Sequence, residues 1–142
     1  MTRDEVMAMT DDELRVKAAE LMGWRFIGVL PVPGSLGESS YRAWEGEYGI
    51  VATIESDQPN LTKDNYLPDY PNDIAAAWGL VEHNPDWRWA VYELDGGGWA
   101  ATPMKVIGTR GEHCLWDHVS EATEDTAPRA ITRAFILGMD AA

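Results

Sequence analysis

The residues best equipped for chemistry lie in "GEHCLWDH" (Gly111 to His118), where His113, Cys114, Asp117 and His118 crowd together. All four types ligate zinc, and a thiol beside an imidazole is the start of a nucleophilic pair. Spacing decides against both. The segment reads as a strand, on which Cys114 and His118 share a face but stand ~13 Å apart at ~3.3 Å per residue. Two ligands of one ion at ~2.0–2.3 Å lie no more than about 4.5 Å apart. His113 points to the opposite face from Cys114, so the thiol lacks a base, and a buried or half-buried inert cysteine is expected. No metal ligand and no catalytic residue is assigned, no cofactor-binding residue is identified, and no cofactor is expected.

Other stretches invite chemistry and lose it on inspection. "PGSLGESS" (Pro33 to Ser40) has Gly34 and Gly37 before hydroxyls, yet it lacks the Gly-Lys-Ser/Thr ending of a phosphate loop. "LPDYPNDIAAAWGLVEHNP" (Leu67 to Pro85) gathers acids and an Asn before a short apolar run. Asn72 or Asp73 caps a helix there, offering a side-chain oxygen to free N–H groups. Glu124 and Asp125 precede another helix, where the dipole favours them. Arg129 and Arg133 stand i, i+4 on that helix and suit a surface ion-pair network with those acids, the alternative partner being a ligand anion.

The elements that would position these residues follow from pattern. Thr10 and Glu13 form a capping box, and Leu14, Ala18, Leu21 and Met22 make one apolar stripe that Gly23 ends. A second helix runs from about Asp73 to His83, with Ile74, Ala77, Trp78 and Val81 as its inward face and Asn84-Pro85 as its stop. A third begins near Thr126, takes Pro128 in its first turn and turns Ile131, Ala134, Phe135 and Gly138 inward. Ile74, Trp78, Ile131 and Phe135 are the expected core. Two hairpins intervene: Tyr41–Trp44 with Tyr48–Ile54, and "WRWAVYEL" with "GWAATPMKV" around Asp95 to Gly98. Alternation sends Trp87, Trp89 and Val91 to one face of the second hairpin and Arg88, Ala90 and Tyr92 to the other. Strands at Cys114–Val119 and Trp24–Val29 are weaker readings. Helix, hairpin, helix, hairpin, helix predicts an α+β fold: one domain, residues 1–142, with an antiparallel sheet sandwiched by about three α-helices.

Composition narrows the partners. The 24 acidic and 11 basic residues give a net charge of −13, and no window holds a Lys/Arg cluster. Direct nucleic-acid binding and attachment to anionic membranes are therefore not expected. An acidic surface instead serves solubility, a basic protein partner or mimicry of DNA. Cys114 is the single cysteine, no apolar stretch has signal-peptide or membrane-span length, and a cytoplasmic setting follows. Seven Trp make indole a major building material.

"YPNDIAAAW" (Tyr70 to Trp78) resembles the signature of the phage ABA sandwich domain, a family named for its alpha/beta/alpha layers. "LMGW" (Leu21 to Trp24) and "DTAPRAITRAFILG" (Asp125 to Gly138) agree in order and spacing. Pro71 departs from the Ser or Thr more usual there, and Leu30 to Tyr66 is longer and less similar. The resemblance implies an α+β sandwich of bacteriophage or prophage origin, located in the host bacterial cell, and it brings no activity or catalytic residue. The expectation is a non-catalytic accessory protein that acts by binding. Its first version is an acidic inhibitor of a host protein, one of a defence system included, or a phage protein partner, contacted through Leu30–Ser40 and Asp57–Tyr70. The alternatives are a Trp-lined pocket for a small nucleotide-like ligand, and a DNA mimic. A homo-oligomer is compatible with each.

Overall fold

The computed structural model describes residues 1–32, 39–47, 49–54 and 65–141. Helices α1 (Arg3–Met7) and α2 (Asp11–Leu21) come first, followed by strands β1 (Arg25–Pro31), β2 (Ser40–Gly46) and β3 (Gly49–Ala52). Helix α3 (Ile74–His83) then leads into β4 (Trp87–Glu93), β5 (Trp99–Arg110), β6 (His113–His118), β7 (Ala122–Glu124) and α4 (Ala127–Ala141). The fold is α+β, with two antiparallel sheets and four helices among the described residues. Two compact units form, one from Met1–Ala18 with Asp69–Ala142 and one from Ala19–Pro68. No helix of the described residues is long and apolar enough to cross a membrane.

In the first unit β5 is the central strand. It pairs with β4 along one edge and with β6 and then β7 along the other, all antiparallel. The hairpin between β4 and β5 closes where Leu94 and Gly98 are bonded, through Gly97 and Gly98 at positive φ. Helix α4 lies on this sheet with Ile131, Ala134, Phe135 and Ile136 fully buried. Small residues let it come close. A Cβ on Gly138 would stand 2.9 Å from Trp87 Cη2 and 3.1 Å from Val119 Cγ1, so this position seats the indole. The last helix thus takes the face its sequence predicts.

Arg129 and Arg133 do more than decorate a surface. Arg129 makes a two-point bond to Asp11, Nε to Oδ1 at 3.0 Å and Nη2 to Oδ2 at 2.9 Å, joining the start of α2 to the start of α4. Arg133 is only 7% exposed. It forms an ion pair with Glu124 and donates from Nη1 to Val6 O (2.6 Å) and from Nη2 to Met9 O (3.2 Å). Those two carbonyls lie in the last turn of α1 and just beyond it, where no further turn supplies N–H donors; Val6 O also accepts from Met9 N–H at 3.2 Å. The pairing of Arg133 with Glu124 matches the sequence reading, but the pair lies inside the protein.

The Asp11 pair has a pH signature. The guanidinium beside it holds the Asp11 carboxyl below its ordinary range. A carboxylate depressed in the folded state contributes stability above its unfolded value of ~3.9, and that stability is lost as pH falls through the folded value. Asp11→Asn is therefore expected to be less stable than wild type at pH 7, by up to about 1 kcal/mol given the solvent access of the pair. The gap should close on acidification below about pH 4, as read from urea unfolding at both pH values. A gap that stays constant with pH would overturn the assignment.

The second unit is a three-stranded sheet in the order β1-β2-β3. The weakly signalled strand after Trp24 is real and runs to Pro31. The first hairpin also forms, with Ala43 opposite Ala52 and Gly46 opposite Gly49, although Tyr48 and the loop Pro33–Glu38 lie outside the described residues. Trp44 is the buried centre: its Nε1 donates to Thr53 Oγ1 at 2.8 Å, and its ring packs 5.5 Å from that of Phe26. The Arg42 guanidinium sits over the other ring of the pair, 5.5 Å from the Phe26 centroid. Of the stretches expected to contact a partner, most of Leu30–Ser40 and of Asp57–Tyr70 lies outside the described residues.

Candidate ligand-binding cleft

Helix α3 starts where its sequence says. Asp73 is the N-cap, accepting from Ala75 N–H at 2.9 Å, while the Asn72 amide donates to the Asp69 carboxylate. The acidic doorway is thereby accounted for as a helix start, with Asp73 rather than Asn72 in the capping role.

The inward face of α3 needs correction. Ala77 and Leu80 are fully buried, whereas Ile74 is 52% and Trp78 50% exposed. The helix is rotated so that its small residues meet α4, where His83 also meets Phe135 edge-on at 5.8 Å. Alanine allows close helix approach, and a Trp at that contact would hold the helices apart. Ile74, Trp78 and Val81 are left as an apolar stripe outside the core.

That stripe is one wall of a cleft of about 800 Å³. Trp87, Trp89 and Val91 of β4 and Trp99 of β5 form its floor. The far wall is the approach to α4 and its first turn, Asp125 to Pro128, with Ile131 beneath. The predicted alternation of β4 produces this floor, since Trp87, Trp89 and Val91 share a face. Trp87 is 7% exposed and anchored by α4; its ring lies 6.3 Å from that of Trp89 at an interplanar angle of 58°. Four of the chain's seven tryptophans therefore converge on one concavity. Its volume falls in the range of small-molecule sites, and its lining is mostly apolar.

Polar groups in the cleft are few. Trp89 Nε1 is shielded from solvent and has no hydrogen-bond partner, an arrangement that costs about 1–3 kcal/mol. Arg88 borders the cleft and donates from Nη1 to Pro85 O (2.8 Å) and Trp87 O (3.1 Å). Asp125 is the acid on the lining; the pKa of Arg129 is raised chiefly by its hydrogen bond to Asp11, with the field of Asp125 a lesser contribution.

The chemistry-bearing residues of β6 lie elsewhere. His113, Cys114, Asp117 and His118 occupy an extended strand whose six residues are all exposed. Cys114 is exposed as well, contrary to the buried or half-buried thiol expected from sequence. The reason is that β6 pairs only with β5 and no helix covers it among the described residues. Among the described residues no three His, Cys, Asp or Glu side chains group to hold a metal ion. Short β7 and the five-residue α1, which sequence reasoning missed, add no residue to the cleft.

Compared with known proteins, the chain matches no family model, no curated protein and no solved structure.

Proposed function

We propose that this protein is a non-catalytic binding protein that holds a small, flat, largely apolar molecule in the tryptophan-lined cleft. One observation carries the reading: Trp78 and Ile74 stand half exposed on a helix whose buried face is elsewhere, and they face three further indoles across a concavity of ligand size. Large apolar side chains grouped this way around a hollow mark a binding site more than a scattered surface does. The similarity of Tyr70–Trp78 to the phage ABA sandwich signature supports placing such a protein in a phage or prophage, as one that sequesters a small molecule in the host cell. Capture of a basic host protein by the acidic surface is the second reading. Trp116, exposed on β6 and lining a small cleft with Asp86, supplies an aromatic near a carboxylate for it.

The test is a titration with neutral N-phenylnaphthylamine, a flat two-ring probe, by fluorescence of the probe. Wild type is expected to bind it, and Trp78→Ala to weaken binding about 10- to 100-fold, the effect of losing one stacking surface worth about 1–3 kcal/mol. Trp116→Ala, which lies outside the cleft, should bind as wild type does. Because Trp78 is half exposed, its loss should cost far less stability than a core tryptophan would. Equal binding by wild type and Trp78→Ala would sink the cleft as the site. Mass spectrometry of small molecules released on denaturing the purified protein would then identify the natural occupant.

A further inference from the structure

One margin of the four-stranded sheet ends without a neighbour. Strand β4 follows β5 only as far as Trp87 opposite Lys105, so residues 106–110 and 113–116 continue as a two-stranded arm that turns at Gly111. Val106, Ile107, Leu115 and Trp116 are all exposed on it. The outer edge of β6 has no strand partner among the described residues. A two-stranded ribbon is marginal in water on its own. Free edges are normally guarded by lysine, proline, a bulge or a covering segment. Strand β6 has none of these. It contains no Lys or Pro, all six of its residues are exposed, and the extra residue of the register shift, Ile107, sits on β5.

We propose that β6 is a dimerisation edge, pairing antiparallel with β6 of a second copy about a two-fold axis at Leu115. The inference is independent of the cleft. Charge favours contact at this place. Residues 105–118 hold two bases and two acids, Lys105, Arg110, Glu112 and Asp117, so the whole net charge of −13 lies outside them. Two copies that meet through the arm join their neutral parts and keep their acidic parts apart. The register follows from the ladder. Opposed residues of an antiparallel pair either both turn their N–H and C=O groups to each other or both turn them away. A strand paired with its own copy therefore matches odd positions with odd and even with even. Centred on Leu115, the match sets Leu115 against Leu115, Cys114 against Trp116 and His113 against Asp117. Apolar side chains then meet apolar ones, and each imidazole meets a carboxylate. Centred on Trp116, the match would set Leu115 against Asp117 and lose both gains.

A contact of this size belongs with small, transient interfaces, so wild type is expected to dimerise at roughly 10–100 µM in sedimentation velocity. Leu115→Lys sets two ammonium groups opposite each other across the axis. It should weaken the dimer more than about tenfold, and Leu115→Glu should do the same. Leu115 is exposed, so both variants should keep the wild-type urea midpoint. The single cysteine reports the register. In the Leu115-centred pairing the two Cys114 residues are diagonal neighbours on one face, ~7–8 Å apart. The short thiol cross-linker bismaleimidoethane should therefore give a covalent dimer of wild type and none of Leu115→Lys. A wild type that stays monomeric to about 500 µM would overturn the pairing and leave the edge to a strand of a different protein. A dimer that survives both substitutions, or one that the cross-linker does not capture, would overturn it as well.

Discussion

Arg133→Met is expected to lose about 3–5 kcal/mol of stability, among the largest effects available to a single substitution in this chain. Methionine fills much of the volume, so the loss isolates what the guanidinium does. Its removal strands the Glu124 carboxylate in a largely enclosed position and takes a donor from each of the Val6 and Met9 carbonyls. Breaking one partner of a buried pair costs more than the pair contributes, because the survivor keeps its desolvation penalty. The double variant Arg133→Met/Glu124→Gln should therefore recover part of the loss. Urea unfolding monitored to the midpoint checks both, and a single-variant loss under about 1 kcal/mol would overturn the account. Helix α1 should be the first element released, since Arg133 ties its last turn and the residue just past its cap to α4.

Phe135→Ala should cost about 3–5 kcal/mol by a different route, transfer of the ring plus the cavity left behind. Phe135 is fully buried on α4, touching His83 of α3 edge-on, so no solvent can relax into the space. Phe135→Leu keeps most of the volume and should lose clearly less. The contrast with Trp78→Ala is the sharper test. Trp78 is the larger residue, yet half of it is in solvent, so its truncation must cost less than that of Phe135. If the order came out reversed, the rotation assigned to α3 would be wrong.

What could be read in the sequence was what is decided locally. The starts of α2 and α3 are set by side chains three or fewer residues away, Thr10 with Glu13 and Asp73 with Ala75. The same box, Thr2 with Glu5, opens α1, but a helix of five residues carries no apolar period to mark it beyond its cap. The alternation of Trp87, Trp89 and Val91 was legible for the same local reason. The facing of α3 was not. Ile74, Trp78 and Val81 satisfy helical spacing as well as Ala77 and Leu80 do, and alanine adds little to a hydrophobic pattern. Which stripe turns inward is settled by α4, some fifty positions on in the chain, where close approach requires small partners. The cleft shares that non-local origin, because its walls come from α3, β4, β5 and the start of α4 and no short motif spans them. The length of β5 beyond Val106 is not legible in sequence either, since the register with β6 shifts between Val106 and Gly108 and breaks the alternation there.

The two floor indoles, 6.3 Å apart and tilted by 58°, are close enough for their excited states to couple. Neither parallel nor perpendicular, they form a chiral pair of chromophores, so the folded protein should show a two-lobed exciton band in circular dichroism. Trp87 is clamped by α4 at Gly138, whereas Trp89 is only partly buried, on the floor of the cleft. The band should consequently change shape when the cleft is occupied and vanish when Trp89 is replaced by Phe. The protein thus contains its own optical reporter, with one chromophore fixed by the core and the other part-exposed on the cleft floor.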